Sequence, residues 1–322
     1  MFFRQARLEE TRSALSEIDH AWLVAAVGAL GIGYSCRIQR WREMLARDNP
    51  RVTWKKCAGP FLGSFAVNNL VPFRGGDILR SIGFEESLGA SSGIVLATLF
   101  IERLLDLLML LLFLLVMLAV FHLRSGPIAG IAGGVLIGSL VAIVALLVFP
   151  PILKPFLLLG GSLALRFLPR FGHKIADEIH RSLATLEHLA TGRKMFCLIG
   201  WSLLAWTAEG CVFWCTARSL PTVTTPMAAW LAFPIGSLAV LLPGTPGEIG
   251  TFHYFVGRAM TEIGNNPATG VAYALLVHAV LWIATTLVGG ACLHFALRNE
   301  RALLHLKGRS SPEHASDHQV VQ

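Results

Sequence analysis

Charge is what this chain has least of. Asp, Glu, Lys and Arg make up 15% of its 322 residues, where a soluble domain carries about 25%. That shortfall excludes an ordinary water-soluble globule. Cys-x-x-Cys pairs are missing too: the six cysteines stand at 36, 57, 197, 211, 215 and 292. Cys211 and Cys215, on one helix face, read as small buried thiols rather than a metal or redox site. No His-Glu-x-x-His, phosphate-binding loop or nucleophile elbow occurs, so no metal, no cofactor and no acyl-transfer machinery is expected. No small-x-small cleavage site closes the first apolar run, and its positive charges (Arg37, Arg40, Arg42) come after it, so it reads as a retained span.

What the chain does have is hydrophobic length. Apolar residues make up 54% of it, mean hydropathy is +0.61, and they fall in runs of roughly twenty, enough for a helix to cross hydrocarbon. The expected fold is an all-α polytopic membrane protein with five to eight membrane segments. Its net charge of +7 reads as a basic cytoplasmic face, not as a nucleic-acid surface.

Residues 1–20 are polar and mixed in charge, an expected interfacial segment. A membrane domain follows over 21–297, in three parts. The first repeat covers 21–121, with a first span at Ala21–Cys36, a basic aromatic anchor at Arg37–Arg42 and a long span at Ser91–Phe121. A connecting span and cytoplasmic helices cover 122–194, including the amphipathic stretch Lys174–Leu189. Residues 152–168 read as a helix lying at the interface or as a further span. The second repeat covers 195–297, with spans at Phe196–Ala217 and Ala268–Leu297. From Arg298 to the end the chain is polar, without periodicity, and is expected to be disordered.

Each repeat contains an apolar segment that is interrupted. In the first, Cys57–Val71 runs into Asn68-Asn69-Leu-Val-Pro72-Phe-Arg74-Gly75-Gly76-Asp77-Ile-Leu-Arg80; in the second, Met227–Leu242 runs into Pro243-Gly-Thr-Pro246-Gly247-Glu248. Gly63-Ser64 answers Gly236-Ser237, and Pro72-x-x-x-Gly76-Asp77 answers Pro243-x-x-x-Gly247-Glu248. Two broken helices at matching places in two halves point to a transport site. Both are re-entrant or both span fully; the re-entrant version makes the repeats inverted in topology.

Lysine and arginine placement orients the chain. With the first span running inward, nine fall in 37–90, seven in 150–194 and four in the tail, against six outside (Arg4, Arg7, Arg12, Arg124, Arg218, Arg258). The expected setting is a bacterial inner (plasma) membrane with the C-terminus in the cytoplasm.

Ionisable residues inside the apolar stretches are the candidate site, because each costs several kcal/mol in hydrocarbon unless paired or wet. Glu102, Arg103 and Asp106 share one span, with Arg103 three residues from Asp106 and able to pair with it. That pair is either a structural salt bridge or a guanidinium that alternates between its acids and an anionic head group. Arg74 and Arg80 flank a break where a helix starting after Asp77 would present free amides, a natural phosphate cradle. The plainer alternative makes Asp77 a helix cap and the arginines inner-face positives. Glu209 lies among Trp201, Trp206 and Trp214 as a counter-charge or proton-coupling group. Glu248 is the positional partner of Asp77, and Asn69 precedes the first break. His253 and His278 read as core or interface histidines, or as site groups.

At these residues the chain resembles the flippase-like family named after the transmembrane region of lysylphosphatidylglycerol synthase. Asn68 or Asn69, Pro72, Arg74, Gly76, Asp77 and Arg80 match its first motif. Glu102, Arg103 and Asp106 match its Glu-Arg-x-x-Asp motif, and Pro246, Gly247 and Gly250 its late Pro-Gly-x-x-Gly motif. The resemblance implies movement between leaflets of a phosphate-bearing lipid, such as aminoacylated phosphatidylglycerol or a polyprenyl-phosphate-linked lipid. The partners expected are an anionic or zwitterionic head group, the bilayer, and a second copy or a lipid-biosynthesis protein. The chain departs from the family's usual acid near the late motif at His253 and from its usual arginine in the last span at His278. No aminoacyl-transferase domain follows the membrane region, so the chain is expected not to be an enzyme. The alternatives are a membrane-embedded enzyme acting on a lipid phosphate and a non-transporting partner of a lipid-modifying complex.

Overall fold

A computed structural model describes residues 16–71, 74–122, 127–149, 169–190, 192–241, 247 and 249–309, together with 152, 154–155, 158–159 and 162. Most of the expected N-terminal segment, most of 150–168, the late proline-glycine stretch at 242–246, Glu248 and the residues after 309 lie outside these.

All described regular structure is helical. Helix α1 runs His20–Leu45, started by the Asp19 carboxylate, which accepts the Ala21 amide at 2.9 Å. Helix α2 runs Trp54–Leu70 and stops at Val71, held extended (φ −113°, ψ 130°). Val71 precedes a proline in the sequence, and the ring of a following proline disfavours helical backbone. The chain restarts as α3 (Gly75–Ile82) and a single turn, α4 (Glu85–Leu88). Long helix α5 (Ser92–Val120) is followed by α6 (Pro127–Val148), amphipathic α7 (Pro169–Leu189) and α8 (Gly192–Arg218). The second half closes with α9 (Ala229–Ala239), α10 (Thr251–Glu262) and α11 (Pro267–Arg309).

Four described helices are long and apolar enough to cross a membrane: α1, α5, α8 and α11 over Pro267–Arg301, with shorter apolar helices at Gly133–Val148 and Pro226–Ala239. Large apolar side chains such as Val24, Ile32, Leu96, Val141, Leu287 and Phe295 are exposed on them, as lipid-facing surfaces require. The protein is an all-α polytopic membrane protein.

The two halves are woven together. Helix α1 packs along α8, its counterpart. Broken helix α2 packs on α11 of the other half, and α9 packs on α5 of the first. Within each half, the short restarting helix packs beside its own broken helix: α3 on α2, α10 on α9. Contact at α2–α3 is very close. A Cβ on Gly76 would lie 1.9 Å from the Ser64 carbonyl oxygen, so only glycine fits there. Gly289 gives α11 the same closeness to α2, where a Cβ would meet the Leu62 carbonyl at 2.3 Å.

Two expectations are corrected here. The first span does not end at Cys36: α1 continues through Arg37–Arg42 to Leu45, and Trp41, Met44 and Leu45 are buried. The stretch expected to be an interface anchor is therefore helix interior. The polar region after Arg298 is also helical as far as Arg309. Glu300 there is buried and accepts the Glu86 and Ser87 amides at 3.1 Å each, capping α4 from another helix.

Candidate functional site

Among the described residues, charged side chains of the bundle form four interhelical ion pairs, one joining the two halves and three within the first half. Arg37 on α1 donates to Glu209 on α8 at 2.9 Å, and Arg40 on α1 to Asp106 on α5 at 2.8 Å. Arg80 on α3 donates to Glu102 on α5 at 2.9 Å, and Arg103 on α5 to Asp77 on α3 at 2.7 Å. Every pair joins two helices. Where such a pair is sealed from water, as Arg80–Glu102 is, it is hard to break singly, because the group left behind is a charge in an apolar interior.

Helix geometry explains the partners. Glu102 and Arg103 are adjacent on α5 and so point about 100° apart. Glu102 faces the sealed contact with α3, where Arg80 lies between the Trp41 and Phe61 rings, 4.7 Å from each centroid. Arg103 turns toward the space between the halves. Asp106 faces α1 and α8, where Arg40 and the Trp206 indole N–H (3.0 Å) both donate to its Oδ1. The expected Arg103–Asp106 pairing within one helix is thus replaced by contacts to other helices, which satisfy both groups at shorter reach.

A cavity of about 260 Å³ lies in the middle, and its walls include Arg37, Arg74, Arg103, Asp106, Trp206 and Glu209. Arg74 reaches it from the break. It is the residue just before α3 and has left-handed backbone (φ 54°), which few non-glycine residues adopt. A second cavity of about 190 Å³ adjoins the first, sharing Tyr34 and Glu209 and adding Asn68, Asn69, His278, Trp282 and Thr285. Asn69 donates to the Thr285 and Thr286 hydroxyls at 2.9 Å each, tying the first break to the last span.

Not every expected site residue reaches this space. Arg80 and Glu102 are sealed, with side chains 0% and 1% exposed, and line neither cavity. Arg80 is therefore corrected from phosphate ligand to core ion pair. Asp77 stands behind Arg103, and the phosphate cradle expected at its helix start is filled from inside. Helix α3 begins at Gly75, before Asp77, and the Gly76 amide donates to the Asn68 Oδ1 at 2.8 Å. His253 is buried, hydrogen-bonded to His278 at 3.0 Å, and it is His278 that lines the second cavity. Glu248 is outside the described residues.

Arg37 and Arg40 are the buried, paired charges of this region that sequence reasoning missed, and Arg37 lines the first cavity. They were counted as inner-face positives, as was Arg80, yet all three are buried. The signal was available in the sequence: Trp41, Met44 and Leu45 carry the apolar pattern of α1 past both arginines.

Comparison with known proteins gives two findings. The family described as the lysylphosphatidylglycerol synthase TM region matches residues 1–289. A curated relative, Glycosyltransferase AglD of Haloferax volcanii, is 27% identical over 321 residues, 87% of this chain and 50% of the relative. The chain thus spans about half the length of that relative. The family's name refers to a synthase and the relative is named a glycosyltransferase, and these names overturn the expectation that the chain is not an enzyme.

Proposed function

The chain belongs to the family of the lysylphosphatidylglycerol synthase transmembrane region, and from that premise we propose that its central hollow binds the phosphate of a membrane lipid and holds that lipid for enzymatic modification of its head group. The observation that carries this reading is one cavity walled by Arg37, Arg74 and Arg103 inside a bundle of apolar helices. Arginine keeps its proton and grips phosphate oxygens with two parallel N–H bonds. Glu209 and Asp77 hold Arg37 and Arg103 neutralised at 2.9 and 2.7 Å. An arriving phosphate replaces those contacts, and the released carboxylates become available as proton acceptors beside the head group. The acyl or prenyl chains stay against the exposed apolar faces, so the charge never enters hydrocarbon unaccompanied.

Translocation of the same lipid between leaflets is a second reading, favoured by one observation. The broken helix of each half packs on the other half's span, and both line the hollow, α2 through Phe65 and α9 through Ser237, the arrangement of carriers with alternating access. On either reading we place the lysine- and arginine-rich side of the protein, including its C-terminus, in the cytoplasm of a plasma membrane.

Purified protein in nanodiscs, titrated with dodecyl phosphate, tests the binding step. Saturable binding that weakens about tenfold or more in Arg37→Ala and in Arg103→Ala is expected, the loss of one charge-assisted contact. No binding, or binding indifferent to both substitutions, would remove the proposal. Mass analysis of candidate phosphate-bearing lipids incubated with the protein, beside a leaflet-accessibility assay in vesicles, separates modification from translocation.

A further inference from the structure

A third cavity, of about 290 Å³, lies apart from the central hollow and shares no lining residue with it. It forms where the start of α2 meets the last turns of the membrane-crossing part of α11. Lys55 and Lys56 of α2, Ser87 of α4, and Cys292, Phe295 and Asn299 of α11 are among its walls. We propose that this cavity holds an anionic phospholipid of the bilayer, with its phosphate against the two lysines and an acyl chain along α11.

The two lysines are placed against their own helix. Helix α2 begins at Trp54 and has no acidic residue in its first turn. Lys55 and Lys56 therefore sit at the positive end of its dipole, the end that favours anions and disfavours ammonium groups. Both are exposed, and neither has an ion-pair partner among the described residues. The carboxylates of the neighbouring elements are spent or turned away. Glu85 accepts from the amide and hydroxyl of Ser92, and Glu300 accepts the Glu86 and Ser87 amides. Glu86 is exposed and does not line this cavity. Arg298 and Arg301, exposed on either side of Asn299 and Glu300, extend the positive surface. A phosphate diester here meets two ammonium groups and relieves their repulsion by the helix start.

An apolar wall makes the occupant a lipid rather than free phosphate. Val288, Cys292, Phe295 and Asn299 follow one another at spacings of four, three and four along α11, so they share one face of that helix. Val288 and Phe295 are 54% and 62% exposed, and an apolar strip thus leads from the lysines along the membrane-crossing part of α11. Trp54, exposed beside Lys55, suits the head-group level, where indole rings concentrate. Basic groups between helices at that level bind anionic head groups. Helix α2 connects this place to the hollow. Its 17 residues span about 25 Å and end at Asn68 and Asn69, which line the second cavity. The lipid holds one end of the helix whose other end walls the hollow.

The half-buried Cys292 thiol in the cavity wall serves as the reporter. The full chain in mixed micelles is treated with N-ethylmaleimide, and modification is followed at each cysteine by peptide mass. With dioleoylphosphatidylglycerol, Cys292 is expected to react about tenfold more slowly than with dioleoylphosphatidylcholine, the protection given by a ligand at about ten times its Kd. Exposed Cys197 should keep its rate. Protection should weaken as salt rises, which tests the charge without any substitution. Lys55→Gln combined with Lys56→Gln should abolish it, and Cys57, 0% exposed, should stay unmodified while that variant is folded. Equal Cys292 rates in the two lipids overturn the proposal, as does protection that is indifferent to salt or survives loss of both lysines. Arg37→Ala should leave protection intact; its loss there would put the lipid in the central hollow instead. sn-Glycerol 3-phosphate without phosphatidylglycerol should protect nothing, and protection by it would make this a site for free phosphate esters and remove the lipid.

Discussion

The Arg103 guanidinium donates to the Asp77 carboxylate at 2.7 Å, and the two side chains keep 35% and 18% of their surface exposed. Between the same two helices, Arg80 and Glu102 form a pair of similar length with 0% and 1% exposed. One pair borders a cavity and the other is walled in by Trp41 and Phe61. Their substitutions should therefore fail in different ways.

Arg103→Ala should fold. Its pair is partly wet, and pairs of that kind contribute little stability, about 1 kcal/mol or less. The expected outcome is a thermal midpoint within a few degrees of the parent, measured by fluorescence-detected size exclusion, together with dodecyl phosphate binding weakened about tenfold or more. A variant that binds normally would show that Arg103 does not meet the phosphate.

Arg80→Ala should damage the fold instead. Removing one partner of a sealed ion pair leaves an uncompensated charge and costs about 3–5 kcal/mol. Removing both with apolar replacements, Arg80→Met with Glu102→Leu, should recover most of that loss, since several atoms of the pair already lack partners: Arg80 Nε and Nη1, and Glu102 Oε1. If the double variant is as unstable as the single one, the pair is doing something other than balancing charge.

Gly76→Ala should be destructive where Gly28→Ala is harmless. The added methyl at 76 meets a backbone oxygen at 1.9 Å, whereas at 28 nothing lies within 4 Å. Overpacking costs about 1–3 kcal/mol even when side chains can move aside, and a carbonyl in a helix cannot. Expression and monodispersity of the two variants, compared side by side, check this.

Glu300→Ala should loosen α4 without touching the two central cavities. It removes the acceptor for two helix-start amides and should cost about 1 kcal/mol, the usual value of a lost cap. Limited proteolysis should then find residues 84–90 cut faster than in the parent. Equal cutting rates would mean that the cap contributes nothing to holding that turn.

How far the sequence was readable depends on the kind of information each feature uses. Break positions come from local chemistry: Val71 before a proline and the Gly75-Gly76 pair stop and restart a helix by their own backbone preferences, and the chain does stop and restart there. Spans likewise follow from apolar length. Ion-pair partners are a different matter. Arg103 stands three residues from Asp106, yet its partner is 26 positions back, and Arg37 finds Glu209 across 172 positions. Spacing along one helix carries nothing about which neighbour will face it. Counting positive charges also treated Arg37, Arg40 and Arg80 as surface groups, because a rule about loops does not tell a buried arginine from an exposed one. Glu300 was hidden for the same reason: its role depends on two amides more than 200 positions away.

Because α2 rests on α11 and α9 on α5, the boundary between repeats in the sequence is not a seam in the molecule. A rigid rocking of one half against the other would break the contacts that α2 and α9 each make across that boundary. Opening of the hollow would be easiest if α2 travelled with α11, the span it rests on across the repeat boundary, so that the moving body is not one sequence repeat but a piece of each.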